Sequence, residues 1–217
     1  WDAANSSPLL RFEKGVTIVS TSDSKWQNAI GSQQFTKGRH YFEILIVKQK
    51  RIDNSWKLNV GVVRDGFDAK KHTVAFGYKM TVPCWCLITG RGEILSHRSP
   101  SNGQKGSAYC YPFGEGDSVG VLVDLWAKKI EFFKNGVSMG VAFNDVDEVR
   151  WRTALVSFVQ QLIPLLQPSL RPALSVIGEA VLALRFPRAP KQTGPPTPSR
   201  STTVTKLAVH VEPDTGQ

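Results

Sequence analysis

The stretch Phe132-Phe133-Lys134-Asn135-Gly136-Val137-Ser138-Met139-Gly140 decides the fold class of this chain. Asn and Gly tolerate the positive φ angles of a tight two-residue turn, so Asn135-Gly136 predicts a β-hairpin. Aromatic and β-branched residues such as Phe132 and Val137 flank this turn and suit the pleated surface of a strand. The chain therefore contains at least one antiparallel strand pair.

Similar short runs of aromatic and β-branched residues recur along the chain, and turn-forming residues separate most of them. They are residues Tyr41–Val47, Lys57–Val63, Ser118–Val123, Ile130–Phe133, Val137–Phe143 and Ala180–Phe186. Many short strands with little helical periodicity predict an all-β fold, a sandwich or barrel of antiparallel strands.

The composition divides the chain into two parts. With 41% hydrophobic and 21% charged residues in 217, most of the chain has the composition of a globular domain. All 21 aromatic residues lie at or before Phe186, so residues 1–187 hold the apolar material for a core. Residues 188–217 contain five Pro, eight Ser or Thr and no aromatic residue, which predicts a flexible tail or linker. Within it, Thr203–Val211 has strand character.

The charge of the chain admits several partners. A formal net charge of +9 could attract nucleic acid, an anionic membrane or an acidic protein segment. The basic residues are scattered in short groups such as Lys48–Arg51, Lys70-Lys71 and Lys128-Lys129. This scatter favours a solvated basic surface over a nucleic-acid-binding arm.

The ends and the cysteines of the chain indicate its setting. Three Cys are too few, and odd in number, for a disulfide framework, which favours the cytoplasm, or the nucleus, over a secreted location. The chain opens on Trp1 without the residue order of a signal peptide, so we expect a piece of a longer protein.

One stretch departs from the β pattern. Thr153 to Leu170 is uncharged, with Leu155, Phe158, Leu162 and Leu166 at helical spacing. A membrane span needs about 20 predominantly apolar residues, and three Gln and two Pro here argue against one. We expect instead a short helix that packs on the sandwich.

Several separated motifs in register resemble those of the SPRY domain family over residues 1–187. They are Phe35-Thr36-Lys37-Gly38-Arg39-His40-Tyr41-Phe42-Glu43-Ile44, Asn59-Val60-Gly61-Val62, Gly116-Asp117-Ser118-Val119-Gly120-Val121-Leu122-Val123-Asp124, Ile130 to Gly136, Gly140-Val141-Ala142-Phe143 and Arg171-Pro172-Ala173-Leu174-Ser175-Val176. The resemblance implies a bent sandwich of two antiparallel sheets whose loops at one end bind a short segment of another protein. Members of this family commonly serve as substrate-recognition modules of ubiquitin ligases, as innate-immune sensors, or as scaffold and channel modules.

Residues 151–169 are atypical for the family, which has a short loop between the Ala-Phe strand and the Pro-Ala-Leu-Ser strand. Three interpretations compete for this insertion. It is an added helix that covers an edge or reshapes the binding face, a partner-binding amphipathic segment, or sequence from an alternative splice product.

Six residues are candidates for partner binding if the sandwich is right. They are Trp26, Arg51, Arg64, Phe67, Tyr78 and Ile177. The aromatic residues are potential interface anchors, and the arginines could clamp a carboxylate. Alternatively, Trp26 and Tyr78 fold back onto the sandwich, and Arg51 and Arg64 are merely solvated.

The resemblance also excludes one ligand class. Family members that bind Asn-rich peptides use a Trp, a Tyr and an Arg, where this chain has Ile177, Val74, and Val19 or Ser20. We therefore expect a different peptide, bound over an aliphatic floor formed by Ile177.

The chain lacks the signs of catalysis or metal binding. Cys84, Cys86, His97 and Cys110 do not have the paired spacing of a zinc site, and buried thiols are the better interpretation. No nucleophile elbow, phosphate loop or His-Glu-x-x-His motif occurs. We expect no cofactor, no metal and no enzyme activity.

The sequence thus predicts a non-catalytic protein–protein interaction module, within a ubiquitin ligase or a signalling or cytoskeletal scaffold. Nucleic-acid binding through the basic surface is the alternative, and carbohydrate binding, which shares the sandwich architecture, ranks third. Salt dependence separates the first two, because phosphate contacts weaken steeply as salt rises.

Overall fold

The computed structural model describes residues 1–14, 17–20, 25–49, 58–80, 82–99, 106–146, 169–176 and 180–189. After a short 3-10 helix at Ala3–Asn5, the strands are β1 Arg11–Glu13, β2 Thr17–Ser20, β3 Gln27–Ile30, β4 Arg39–Gln49, β5 Leu58–Arg64, β6 Cys84–Ile88, β7 Glu93–Ser96, β8 Ser107–Ala108, β9 Ser118–Asp124, β10 Lys129–Lys134, β11 Val137–Phe143, β12 Leu170–Val176 and β13 Ala180–Arg185.

The strands form two antiparallel sheets. A seven-stranded sheet has the order β1-β2-β13-β4-β9-β10-β11, and a six-stranded sheet has the order β3-β12-β5-β6-β7-β8. The all-β, two-sheet sandwich predicted from the sequence is confirmed. The stretch Thr153–Leu170, for which a short helix is predicted, falls outside the described residues apart from Ser169 and Leu170, and Leu170 begins strand β12.

The last two strands complete both sheets. β12 pairs with β3 and β5, and β13 pairs with β2 and β4. Because both strands lie in the interior of their sheets, the two strands that follow the atypical insertion belong to the sandwich.

The predicted hairpin is present. Asn135 and Gly136 have φ angles of 52° and 79°, and Lys134 pairs with Val137 across the turn. The side chain of Asn135 also accepts a hydrogen bond from the N–H of Ser118 and donates one to Asp117, both at 2.8 Å. Left-handed backbone and side-chain bonding together explain why Asn suits this position.

The main core lies between the two sheets and follows the period-2 alternation of the strands. In β5, Leu58, Val60 and Val62 enter this core. Its largest fully buried side chains are Trp85, Phe35, Phe42, Phe113 and Phe132.

A second apolar layer covers the outer face of the six-stranded sheet. Residues 65–83, called here the cover segment, connect β5 to β6 and pack Phe76 and Ala69 onto this face. Underneath lie Val63 of β5 and the thiols Cys84 and Cys86 of β6. β5 is therefore buried on both faces, which explains its nearly continuous apolar sequence.

The strand pairing defines two ends of the sandwich. At the loop end, Val176 of β12 is paired with Leu58 of β5 and with Gln27 of β3. At the far end, Leu170 of β12 is paired with Arg64. Six residues of strand, at about 3.3 Å each, separate the two ends by about 20 Å.

After β13 the chain crosses the outer face of the seven-stranded sheet. Ala189 packs there against Tyr41, Leu122 and Phe133. The predicted tail, residues 188–217, lies outside the described residues beyond this point. Among the described residues, no helix is long and apolar enough to cross a membrane.

Candidate protein-binding surface

Three buried polar side chains form a row across three neighbouring strands of the six-stranded sheet. Ser175 of β12 is paired with Asn28 of β3 on one side and with Asn59 of β5 on the other. All three are at most 1% exposed. The row lies one residue from the loop end.

The polar row binds the backbone of the cover segment. Asn28 donates hydrogen bonds from its amide nitrogen to the carbonyls of His72, at 2.6 Å, and Val74, at 3.1 Å. Asn59 donates to the carbonyl of Phe76 at 2.8 Å, and Ser175 accepts from the N–H of the same residue at 2.9 Å.

These bonds fix the course of residues 72–76 relative to the sheet. A buried backbone group without a partner costs about 1–3 kcal/mol, so each bond opposes lifting of the cover segment. The ring of Phe76 is fully buried beneath it, which adds an apolar anchor. The row therefore holds a rigid loop at the loop end of the sandwich.

Tyr78 follows this anchored stretch and is half-buried. Its ring packs against the apolar layer under the cover segment, and its hydroxyl accepts a hydrogen bond from Arg91 at 2.9 Å. Arg91 also pairs with Glu93 at 3.1 Å. Burial raises the pKa of Tyr78, so the hydroxyl stays protonated at neutral pH. Tyr78 therefore folds back onto the sandwich while its polar edge remains at the surface.

Trp26 lies at the loop end and is partly exposed, immediately before β3. Its neighbour Gln27 is held on both sides, because it accepts a hydrogen bond from the hydroxyl of Ser7 and donates to the carbonyl of Lys25 at 3.1 Å. The backbone that carries the indole is therefore fixed.

Arg64 does not lie at this end, whereas Phe67 packs within the cover segment. Arg64 is the last residue of β5 and is paired with Leu170 at the far end. Phe67 contacts the rings of His72 and Phe76, with centroids 5.2 and 6.1 Å away. The sequence predicted Arg64 and Trp26 in one loop cluster, but the structure places them at opposite ends of the sandwich. Arg64 is paired with Leu170 at the far end, whereas Trp26 precedes Gln27, which is paired with Val176 at the loop end.

Arg51 and Ile177 lie outside the described residues. The chain enters their segments from Gln49 and Val176, both at the loop end. Of the positions that differ from the Asn-rich-peptide binders, Val74 is half-buried in the cover segment, and Ser20 is buried in β2.

The histidine and the thiols of this region are shielded from solvent. Burial lowers the pKa of His72 below its ordinary 6.5, which favours the neutral ring beside Phe67. Burial raises the pKa of Cys84 to about 12 and holds the pKa of Cys86 well above its ordinary value of 9.0. The interpretation of these cysteines as buried thiols is consistent with this environment.

No group of metal-ligating side chains assembles within the described ranges. His97 instead contacts the backbone of Cys84 at 3.3 Å and places its ring edge-on to Trp85. Cys110 lies elsewhere and is half-buried.

Sequence reasoning missed the polar row and Arg91. A signal was present, because Asn59 and Ser175 interrupt runs of otherwise apolar strand residues. The sequence alone does not show that β12 pairs with both β3 and β5. Without that pairing, these residues could not be placed beside one another or beside residues 72–76.

The chain belongs to the SPRY domain family, since the family model for the SPRY domain matches residues 39–160. No curated protein matches the chain in sequence comparison.

Solved structures of SPRY domains share this fold. The SPRY domain of human HERC1 has 19% identity and a TM-score of 0.62, covering 86% of this chain and 98% of that one. A further human SPRY domain has 18% identity and a TM-score of 0.54, covering 82% and 94%. The PSpry domain of TRIM65 has 14% identity and a TM-score of 0.54, covering 86% and 90%. At these identities, the similarity establishes the fold alone.

Proposed function

We propose that this chain is a non-catalytic module that binds a short segment of a partner protein at the loop end of the sandwich. The observation that carries the proposal is the polar row of Asn28, Ser175 and Asn59, which fixes residues 72–76 at the end of the sandwich where the partly exposed Trp26 also lies. A fixed backbone lowers the entropic cost of binding a peptide.

The chemistry of this surface suits a peptide. Trp26 and Tyr78 combine apolar rings with a polar edge, as interface anchors commonly do. Arg91 lies beside Tyr78 and presents a guanidinium that is already oriented by Glu93. Arg51 and Ile177 join the proposed site from the segments that follow Gln49 and Val176.

The proposed kind of host protein rests on the roles that members of the SPRY family commonly have. We propose a host protein that uses this domain to recognise a substrate or a scaffold component, as in a ubiquitin ligase or a signalling or cytoskeletal scaffold. The free state of Cys84, Cys86 and Cys110 supports a reducing compartment, the cytoplasm or the nucleus.

A peptide-display selection against the full chain tests the proposal. Selected peptides are then titrated against Trp26→Ala, Tyr78→Ala, Arg51→Ala and Ile177→Asp. We expect losses of tenfold or more, about 1.4 kcal/mol, for at least two of these variants.

Two matched controls locate the site. Arg64→Ala removes an arginine at the far end, and Trp126→Ala removes an aromatic ring that is 75% exposed in the turn between β9 and β10, next to the Arg39–Asp124 pair at the same end. Both should leave peptide affinity unchanged. Equal losses in the controls and the test variants, with unchanged melting temperatures, would refute a site at the loop end.

The insertion requires its own test. A variant that lacks residues 151–168 retains Ser169, whose backbone carbonyl accepts a hydrogen bond from the N–H of Asp65 at 3.0 Å. Higher stability with unchanged peptide binding would favour the splice-product interpretation. Loss of peptide affinity at unchanged stability would make the insertion part of the binding face.

A further inference from the structure

The far end of the seven-stranded sheet carries a basic patch around an exposed tryptophan. Trp126 lies in the turn between β9 and β10 and is 75% exposed. Around it, five exposed cations make no ion pair with any described residue. These cations are Lys37, Lys128, Lys129, Arg185 and Arg188, and together with Arg39 and Trp126 they are called here the far-end patch.

The strand pairing brings the members of the patch together. Asp124 is paired with Arg39 on one side and Lys129 on the other, so the three side chains form one row. Arg185 of β13 is paired with Glu43, four residues along β4 from Arg39, so it extends the patch along the outer face of the sheet.

The turn that carries the indole is held in place. The carboxylate of Asp124 accepts hydrogen bonds from the N–H groups of Trp126, at 3.1 Å, and Ala127, at 2.8 Å. The same carboxylate pairs with Arg39 at 3.2 Å. The exposed ring is therefore presented on a fixed backbone.

A depression of about 230 Å³ opens beside this turn on the outer face of the sheet. Its lining residues are Arg39, Leu122, Asp124, Ala127, Lys129, Glu131 and Val141. It is smaller than the pockets of about 300–1,000 Å³ that enclose drug-sized ligands, and it suits a single planar ring. Its floor is apolar at Leu122 and Val141, and its rim carries cations and carboxylates.

We infer that the far-end patch is a binding site for single-stranded nucleic acid, separate from the proposed peptide surface. A base stacks on Trp126, a neighbouring base enters the depression, and the unpaired cations neutralise the phosphates. Aromatic stacking platforms in a basic groove are the physical basis of such binding. In single-stranded nucleic acid, flat bases alternate with negatively charged phosphates. This alternation matches an exposed indole and a shallow depression that are surrounded by cations.

The carboxylates of the depression decide between partners. Asp124 and Glu131 oppose the binding of any polyanion, but they can also accept hydrogen bonds from the amino group of a base such as cytosine, which the carboxylates of an acidic peptide do not offer. Asp124 is neutralised by Arg39, and Glu131 accepts a hydrogen bond from the hydroxyl of Ser138. This hydrogen bond leaves the charge of Glu131 in place, but the five cations that make no ion pair with a described residue outnumber it, so the patch keeps a net positive charge.

The test measures binding of the full chain to a fluorescein-labelled oligo(rC) and its deoxy equivalent, of about ten nucleotides, by anisotropy. In wild type, affinity should fall between about 50 and 200 mM salt. Lys128→Glu with Lys129→Glu should reduce the log–log salt slope by about 0.7 for each phosphate that is no longer neutralised. Trp126→Ala should weaken binding at least about fivefold, and Trp126→Phe should restore most of it.

A control double variant makes the same change in charge at two lysines outside the patch. Lys25→Glu with Lys70→Glu alters two exposed lysines away from the patch and should weaken binding by no more than about twofold. If both pairs weaken binding equally, or if Trp126→Ala has no effect at unchanged melting temperature, only diffuse charge attraction remains and the site is refuted. Equal or tighter binding to phosphatidylserine vesicles or a polyglutamate peptide, abolished in the patch variants, would also overturn the assignment. Peptide titrations on the same variants separate this result from the proposed function.

Discussion

The hydroxyl oxygen of Ser175 accepts a hydrogen bond from the backbone N–H of Phe76 at 2.9 Å, although 99 residues separate them in the sequence. Ser175 belongs to the penultimate strand, and Phe76 to the cover segment. The bond therefore joins β12 to a loop that the proposed peptide surface requires. The peptide surface can form only when β12 is in place.

Ser175→Ala tests this relationship. Removal of the hydroxyl leaves the N–H of Phe76 buried without a partner, so we expect a loss of about 1–3 kcal/mol in the free energy of unfolding. Urea denaturation measures it, and Ser32→Ala, at an exposed position, should change stability by less than about 0.5 kcal/mol. An unchanged stability in Ser175→Ala would show that the cover segment does not depend on the polar row.

Asn135→Val should damage the hairpin. Valine is strained at the φ of 52° that residue 135 adopts, and it also loses the bonds to Ser118 and Asp117. We expect a loss of about 2 kcal/mol or more, from backbone strain and missing hydrogen bonds together. Asn135→Gly loses only the side-chain bonds and should cost less. If glycine costs as much as valine in urea denaturation, backbone strain plays no part at this turn.

Arg64→Ala should affect neither stability nor peptide binding. The side chain is partly exposed, and the residue lies at the far end of β5. Such a surface substitution usually changes stability by no more than about 0.5 kcal/mol. Melting temperature and titration with a selected peptide measure both quantities, and a loss of affinity alone would return Arg64 to the binding site.

His72 should make the domain less stable in mild acid. Its pKa is lowered by burial in the folded chain, so the folded state binds fewer protons than the unfolded state as pH falls through 6.5. The stability is complete above that pH and is lost as pH falls through the lower, folded value. Wild type should therefore lose more unfolding free energy between pH 7.5 and 5 than His72→Gln, which does not titrate. Parallel curves for the two proteins would contradict this.

The three thiols should react at different rates with a thiol reagent. Cys84 and Cys86 are buried beneath the cover segment, which raises their pKa values. Cys110 is only half-buried, and although burial raises its pKa as well, the charge of Lys134 opposes that rise. The thiolate is the reactive form, so Cys110 should be labelled first, and the other two only as the structure opens. Mass spectrometry of labelled peptides distinguishes them. Ser175→Ala should accelerate labelling of Cys86. A labelling rate equal to that of wild type would show that the polar row does not control the opening of the cover segment.

Much of the fold followed from local patterns in the sequence. Asn135-Gly136 predicted a hairpin because only a few residues tolerate positive φ, and this rule depends on the residues themselves. The run of β-branched residues within Lys57–Val63 predicted a strand for the same reason, because such side chains suit the pleated surface of a sheet. The SPRY motifs are strand and turn sequences of this kind, which is why they identified the family without coordinates.

The candidate site followed only in part. Trp26 and Tyr78 were identifiable as aromatic residues near turns, but the sequence did not separate their end of the sandwich from that of Arg64. Which end a loop occupies depends on the direction of its strand within the sheet, and that direction depends on partners far away in the chain.

Only the tertiary structure decided which residues act together. β12 lies between β3 and β5, and this pairing alone aligns Asn28, Ser175 and Asn59 into one row. In the same way, pairing of β9 with β4 and β10 places Arg39 and Lys129 on either side of Asp124. The sequence by itself determined the strands, the turns and the family, because those depend on local conformational preference. Which strands are neighbours, and which faces of the sheets are covered, depends on packing between segments that are distant in the sequence. Local conformational preferences do not determine that packing.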